Sequence, residues 1–206
     1  SLHREQLIRA IQERYTPFTF RFLRRGRKWY LQVIFTWMME ERDRISDVSC
    51  GVIGLDFNDG FLNFSETDAY GNLIGLRYFP LKSHGMGKKA ESEMQEMIAK
   101  IVRLAKEKRK PIAVEQLDFK KTKALTTKTW GKYGKQYNKM VHALDYSRYK
   151  TCLENAGFRE KVEIVLVNPA YTSQIGMKKF GERMKLNRHQ AASYVIARRG
   201  QGFQDK

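Results

Sequence analysis

The chain has 206 residues, with 39 Lys and Arg against 22 Asp and Glu, which gives a formal net charge of +17. An apolar content of 42% is enough for a folded core and excludes a wholly disordered chain. Two cysteines exclude a disulfide scaffold and a four-thiolate zinc site, and no apolar run reaches the ~20 residues of a membrane span. The excess of positive charge favours nucleic acid as a partner.

The N-terminal part of the chain predicts a small appendage. Residues 3–14 have apolar residues at helical spacing, and residues 16–36 alternate around a basic turn, as in a β-hairpin. Residues 40–47 are polar and indicate a linker or a turn. We therefore expect an appendage over residues 1–48 and a main domain over residues 49–206.

The main domain has the sequence pattern of an α/β protein. Three strands separated by turns come first, and two more strands then alternate with helices. The predicted strands are 52–56, 61–65, 73–79, 112–115 and 162–167, and the predicted helices are 91–109, 141–156 and 187–199. The order β-β-β-α-β-α-β-α predicts a mixed five-stranded sheet flanked by helices.

Two acidic residues stand at the ends of predicted strands. Asp56 ends the first strand of the main domain, and Glu115 ends the fourth. If these strands are parallel neighbours, both carboxylates reach one site at the carboxyl edge of the sheet. Carboxylate oxygens bind Mg²⁺ or Mn²⁺, and two such ions can activate water and stabilise the leaving oxygen of a phosphodiester. The alternative is that both are ordinary acids at strand ends.

Basic residues alternate with aromatic ones in a segment before the second helix, a pattern that suits base stacking and phosphate contact. The expected nucleic-acid-binding residues there are Lys128, Trp130, Lys132, Tyr133, Lys135, Tyr137 and Lys139. Packing against the next helix is the other interpretation of these aromatics. Arg198 and Arg199 end the last helix, where they could contact phosphate or complement the helix dipole.

Several segments resemble one known family. GVIGLDFNDGFLNFSETDAYGN and IAVEQLDF look like the first two motifs of RuvC-type nuclease domains. VEIVLVNPAYTSQIG and NRHQAASYVIARRG resemble the region around the third motif in TnpB proteins, which insertion sequences encode, and in the related type V CRISPR effectors. GRKWYLQVIF looks like the last strands of the TnpB wedge region. The resemblance covers roughly residues 50–200 and adds a wedge-like remnant before them.

The resemblance implies an RNase H-like (RuvC-like) fold and a DNA endonuclease of a mobile element. Asp56 and Glu115 would be catalytic and would ligate two Mg²⁺ or Mn²⁺ ions. TnpB proteins act under a guide RNA, so the implied partners are DNA and, in a full-length protein, a guide RNA. A prokaryotic cytoplasmic location, on the nucleoid when bound to DNA, is also implied, with no membrane association.

The sequence departs from the family pattern in two places. Residues 175–186 contain no cysteine, so the zinc ribbon of typical TnpB proteins is absent and no zinc is expected. The third acid is also missing: Arg188 or His189 occupies its position. Arg cannot ligate a metal, whereas a neutral imidazole can, so we predict His189 as the third catalytic and metal-binding residue. Asp118 is a less favoured substitute, and Asp59 is most simply a turn residue.

Two alternatives remain open at this stage. A TnpB-related protein that lost its third acid could bind nucleic acid without cutting it. A generic basic RNA-binding domain without RuvC ancestry is the other alternative, and it would lack the central five-stranded mixed sheet.

Overall fold

The structure is a computed structural model that describes residues 4–13, 17–36, 44–58, 60–81, 87–117 and 133–205, with the backbone alone for residues 6, 13 and 133–145. Contacts divide the chain into two compact units, Ser1–Asp43 and Arg44–Lys206. The boundary that the sequence predicts between residues 48 and 49 stays a prediction. No helix in the described ranges is long and apolar enough to cross a membrane.

The first unit contains the predicted helix and hairpin. Helix α1 is Arg4–Glu13, and strands β1 (Thr19–Arg25) and β2 (Lys28–Ile34) pair antiparallel. Gly26 stands in the turn between the strands with a φ of 62°, a conformation that side chains with a Cβ rarely adopt. The glycine in the basic run therefore explains why the chain reverses at this point.

The second unit contains five strands and the remaining helices. Its strands are β3 (Ile53–Asn58), β4 (Phe61–Thr67), β5 (Leu73–Pro80), β6 (Ile112–Glu115) and β7 (Ile164–Val167). Its long helices are α2 (Lys88–Lys108), α3 (Tyr133–Glu160) and α6 (Arg188–Gly200). Between β7 and α6 lie α4 (Thr172–Gly176), a π-helical turn (Met177–Gly181) and α5 (Glu182–Met184).

The five strands form one mixed sheet in the order β5-β4-β3-β6-β7. Strands β3, β4 and β5 are antiparallel neighbours, whereas β3, β6 and β7 run parallel. This arrangement confirms the predicted fold class, a mixed five-stranded sheet flanked by helices with the topology of the RNase H-like fold. A generic RNA-binding domain would lack such a sheet, so the structure does not support that alternative.

One face of the sheet carries the main hydrophobic core. Alternate residues of β3, β4 and β6 point to this face and pack against the apolar faces of α2 and α3. The largest fully buried side chains here include Ile53, Leu55, Phe64, Ile101 and Tyr149. Each such side chain contributes about 1.5–3 kcal/mol through removal from water, so this layer fixes the register of β3 and β6.

Helix α6 covers the other face at unusually short distance. A Cβ atom on Gly54 would lie 2.2 Å from the carbonyl oxygen of Ser193, so only glycine permits this approach. Ser65 on β4 forms a 2.5 Å hydrogen bond with Ser193, and Gly200 at the end of the helix lies against Ala113. Small residues on both elements thus fix the height and rotation of α6 above β3.

The segment between β7 and α6 was not predicted to be helical. Its three helical pieces are short, and glycines 176 and 181 interrupt any apolar period that would have indicated a helix. Gly176 has a structural reason, because a Cβ atom there would lie 2.6 Å from the carbonyl oxygen of Ala191 in α6. The segment is therefore packed against the last helix.

The approach of α6 to β3 gives the first testable prediction. Gly54→Ala places a methyl group against backbone atoms of Ser193 and Ala197, and we expect it to lower the free energy of unfolding by about 3 kcal/mol or more. Gly87→Ala is the control, because a Cβ atom there meets nothing within 4 Å, and it should change stability by less than about 0.5 kcal/mol. Urea unfolding measures both, and equal stability of the two variants would contradict the close approach.

Candidate active site

The two strand-end carboxylates lie side by side. Leu55 of β3 pairs with Val114 of β6 in parallel register, so the following residues, Asp56 and Glu115, are neighbours on the face covered by α6. Both side chains stand at the carboxyl ends of their strands, where open α/β sheets bind ligands. The structure thus brings together the two acids that the sequence singles out.

Asp56 is held by one residue of its own strand and one of helix α6. Asn58 Nδ2 donates to Asp56 Oδ2 at 2.8 Å, and His189 Nδ1 lies 3.2 Å from the same oxygen. The Asp56 side chain is 13% exposed and that of His189 is 42% exposed. The imidazole therefore lies between a buried carboxylate and the solvent-facing side of the site.

The start of helix α6 fixes the position of His189. Asn187 caps the helix by accepting from the backbone N–H groups of His189 and Gln190, while Gln190 accepts in return from the backbone N–H of Asn187. The edge of Phe61 packs against the imidazole, with ring centroids 5.1 Å apart. Of the two residues that the resemblance aligns with the family's third acid, His189 faces Asp56, whereas Arg188 donates to Ser173 Oγ at 3.3 Å.

Glu115 is oriented by the loop after β7. Thr172 Oγ1 donates to Glu115 Oε1 at 2.6 Å, immediately after Tyr171 adopts a left-handed conformation with φ of 59°. Arg199 holds this loop by donating to the carbonyl oxygens of Asn168 and Ala170. The hydroxyl of Tyr146 donates to the backbone carbonyl of Glu115 from the opposite face.

These groups surround an open pocket of about 330 Å³. The lining includes both carboxylates, the imidazole of His189 and the guanidinium of Arg188, so the pocket presents mainly polar and charged groups. The lining residues are Asp56, Asn58, Glu115, Leu117, Pro169, Tyr171, Thr172, Ser173, Gln174, Arg188, His189 and Ala192.

Burial raises the pKa of both carboxyl groups. For Asp56, desolvation outweighs the hydrogen bonds from Asn58 and the interaction with His189, which lower its pKa. For Glu115, desolvation is again the largest cause, the hydrogen bond from Thr172 lowers the pKa, and the nearby charge of Asp56 raises it. Two adjacent, desolvated carboxyl groups that repel each other would be stabilised in their ionised form by a cation.

Each carboxylate of this pair has one oxygen available to a divalent cation. Among the described residues, no hydrogen bond reaches Asp56 Oδ1 or Glu115 Oε2, while the second oxygen of each carboxylate is held. The described residues contain no group of three or more His, Cys, Asp and Glu side chains that could hold an ion. The donor set is thus suited to one Mg²⁺ or Mn²⁺ completed by water or substrate oxygens, and offers no carboxylate dedicated to a second ion.

The structure leaves most of the other predicted contacts untested. Lys128, Trp130, Lys132, Asp59 and Asp118 lie outside the described residues, and Tyr133, Lys135, Tyr137 and Lys139 lie in α3 where the backbone alone is described. Arg198 binds Asp205 at 2.7 Å and the carbonyl of Gly71, while Arg199 holds the loop after β7. For these two arginines the contacts favour positioning of the chain over binding of phosphate.

Sequence reasoning missed Asn58 and Thr172, which orient the two carboxylates. Asn58 belongs to an Asn-Asp-Gly sequence that predicts a turn. Because the turn already explains an asparagine at this position, nothing indicated its hydrogen bond to Asp56. Thr172 lies in the PAYTSQ segment, where the left-handed Tyr171 has no sequence signature. The one available signal was the position of Thr172 a few residues after a strand parallel to β6.

The comparisons with known proteins give a structural similarity alone. No protein-family model matches the chain, and no curated protein matches it. A solved structure, T. thermophilus RuvC in complex with a Holliday junction substrate, is similar with a TM-score of 0.48 and 12% sequence identity, over 71% of this chain and 88% of that chain. A similarity of this size carries no conclusion about activity, so the proposals below rest on the geometry of the site.

The raised pKa of Asp56 gives a prediction about stability. Asp56→Asn removes a buried charge and keeps an acceptor for Asn58, so we expect about 1 kcal/mol of stabilisation at neutral pH. A carboxyl with a higher pKa in the folded state stabilises the fold when protonated, and this contribution is lost as the pH rises from its ordinary pKa through the raised one. The difference between variant and parent in urea unfolding should therefore widen over that pH range.

Asp68→Asn is the matched control for this measurement. Asp68 accepts hydrogen bonds from the side-chain amide of Asn72 and from the backbone N–H groups of Asn72 and Tyr70, and these bonds lower its pKa. Its neutralisation should destabilise the fold at neutral pH, opposite in sign to the change at Asp56. Destabilisation by both variants would show that the charge of Asp56 does not lower the free energy of unfolding.

Proposed function

We propose that the second unit is a nuclease domain that hydrolyses DNA phosphodiesters with the help of a divalent metal ion. The observation that carries this proposal is the juxtaposition of two buried carboxylates, each with one unengaged oxygen, beside the imidazole of His189. The net charge of +17 supports a polyanionic substrate.

Each residue of the site has a chemical role in this proposal. Asp56 and Glu115 would hold the ion, which supplies Lewis acidity at the phosphodiester and stabilises the developing negative charge. His189 keeps Nδ1 on Asp56, so Nε2 is the atom that can accept a proton from attacking water or return it to the leaving oxygen. Arg188 brings a guanidinium to the pocket, where it can pair with a phosphate oxygen.

The finer proposal is a TnpB-related protein. Its support is the set of motifs around Asp56, Glu115 and the PAYTSQ segment, together with the position of His189 where the family has its third acid. On this proposal a longer protein would cut DNA under an RNA guide, and residues 1–48 would be a remnant of the wedge region. The resemblance also implies direct metal ligation by His189 and a second ion; in that version Nε2 would bind metal in place of transferring a proton, and the second ion would need oxygen ligands besides Asp56 and Glu115.

A nuclease-inactive DNA-binding protein is the second candidate. The observation that favours it is the lack of a third acidic ligand within the described part of the chain, where Arg188 and His189 stand instead. Such a protein would keep the fold and the basic surface. It would not need a metal ion for binding.

Cleavage of labelled single- and double-stranded DNA tests the two candidates. We expect cutting in Mn²⁺ or Mg²⁺ and none in EDTA, and a loss of about a hundredfold or more in Asp56→Asn and in Glu115→Gln. Mn²⁺ should also raise the thermal unfolding midpoint of the parent chain and leave that of the double variant unchanged. Glu163→Gln, a carboxylate that pairs with Arg44 away from the pocket, should cut like the parent.

The opposite outcome is equally clear. DNA binding that is unchanged by EDTA and by the double variant, with neither cutting nor a Mn²⁺-dependent shift in unfolding, would establish the inactive binder. For the TnpB-related version, the same negative result from a full-length protein with its guide RNA would extend this conclusion to guided cleavage.

Thr172 provides a separate test of how Glu115 is oriented. Thr172→Val removes the hydrogen bond that lowers the pKa of Glu115, so we expect metal affinity to fall about 10–100-fold and the pH dependence of metal binding to shift upward. Thr172→Ser keeps the hydroxyl and should retain most of the affinity. Equal affinity in the valine variant, measured by Mn²⁺ titration, would show that Thr172 does not orient the ligand.

A further inference from the structure

An aromatic row connects the site to the edge of the sheet. The ring of Tyr78 on β5 stacks on Phe61 of β4, with centroids 5.4 Å apart and planes inclined by 29°. Phe61 in turn contacts the ring of His189 edge to face, and His189 contacts Asp56. The row Tyr78–Phe61–His189 therefore extends from the open edge of the sheet to the proposed metal-binding carboxylate.

The outer end of this row is exposed on an edge strand. Tyr78 is 59% exposed, and Leu76, two residues earlier on the same face of the strand, is 37% exposed. Tyr78 pairs with Asn63, and Asn63 pairs with Asp56, so one line of residues crosses β5, β4 and β3 on the α6 side. No other strand pairs with the free edge of β5 within the described chain.

We propose that Tyr78 and Phe61 form a stacking platform for the bases of an unpaired DNA strand that leads to the site. This inference rests on the proposed nuclease function and adds the substrate class and the direction of entry. An aromatic face beside a phosphodiesterase site can stack on any unpaired base, because every base has a π-face. A duplex shields its base faces, so it cannot use the platform within its length.

Charge favours nucleic acid over a protein as the occupant of this face. Strand β5 carries no acidic residue, and the exposed cations Lys185 and Arg188 flank Asn187 at the start of α6. The segment from Pro169 to Gln174 lines the pocket beside Glu115. A strand whose phosphate lies at Asp56 and Glu115 can thus extend over β5, where its bases meet Tyr78.

Binding of a labelled oligothymidine in EDTA tests the platform apart from cleavage. We expect Tyr78→Ala to weaken binding about tenfold or more, and Tyr78→Phe to bind within about twofold of the parent, because stacking needs the ring and not the hydroxyl. Tyr70→Ala is the matched control, since Tyr70 is 81% exposed, outside the row, and should bind like the parent. In Tyr78→Trp, the added tryptophan fluorescence should be quenched when the oligonucleotide binds.

The outcomes separate the two proposals. Parent-like binding by Tyr78→Ala, an equal loss for duplex DNA, or unquenched fluorescence in Tyr78→Trp would overturn the platform, even if metal-dependent cutting is observed. A loss confined to the unpaired strand would establish the platform, even if the chain does not cut DNA. A loss confined to an oligouridine RNA would overturn the assignment to DNA.

Discussion

The site depends on the contact of helix α6 with strand β3. Gly54 has no side chain, so the backbone of α6 comes closer to the sheet than any Cβ atom would permit. The hydrogen bond between Ser65 and Ser193 fixes the rotation of the helix, and the capping box at Asn187 fixes where it begins. His189 is the second residue of that helix, so its 3.2 Å contact with Asp56 is a consequence of backbone packing several residues away. The packing at Gly54 thus determines where the imidazole of His189 lies relative to Asp56.

The same packing creates an electrostatic conflict at the carboxyl edge of the sheet. Asp56 and Glu115 are brought together by parallel register, and burial raises the pKa of both. A protein with 39 basic residues could have paired each acid with a lysine or arginine, as it does for Glu66 with Lys110 at 2.7 Å. At the pocket the carboxylates instead accept hydrogen bonds from Asn58 and Thr172, and Asp56 contacts His189, with no lysine or arginine side chain bonded to either acid among the described residues. Buried acids without a directly bonded cation are typical of functional sites.

The sequence was sufficient for the fold and for the two acids, because both follow from simple periodicity. Alternation in β3 and β6 and the acid that ends each strand are visible in the residues, and only their adjacency required the topology. The choice of His189 over Arg188 rested on ligand chemistry alone, because which of the two residues faces Asp56 depends on the phase of α6, which the hydrogen bonds of Asn187 and Gln190 determine. Thr172 and the helical pieces after it were not predictable, since they follow from tertiary contacts with Glu115 and Ala191.

The topology also constrains how a substrate can reach the pocket. On the β6 and β7 side, Arg199 holds the loop that carries Thr172 to Glu115. The backbone of this loop therefore limits the access of a substrate to the pocket from that side. On the β4 and β5 side, the sheet ends in an edge strand with exposed aromatic and aliphatic residues. Native sheets usually protect such edges, because unpaired strand edges promote aggregation. An apolar edge beside these two carboxylates is therefore best explained as a surface that a ligand covers during function. An unpaired nucleic-acid strand, with phosphates for the pocket and bases that stack on aromatic rings, matches both the chemistry and the position of this edge.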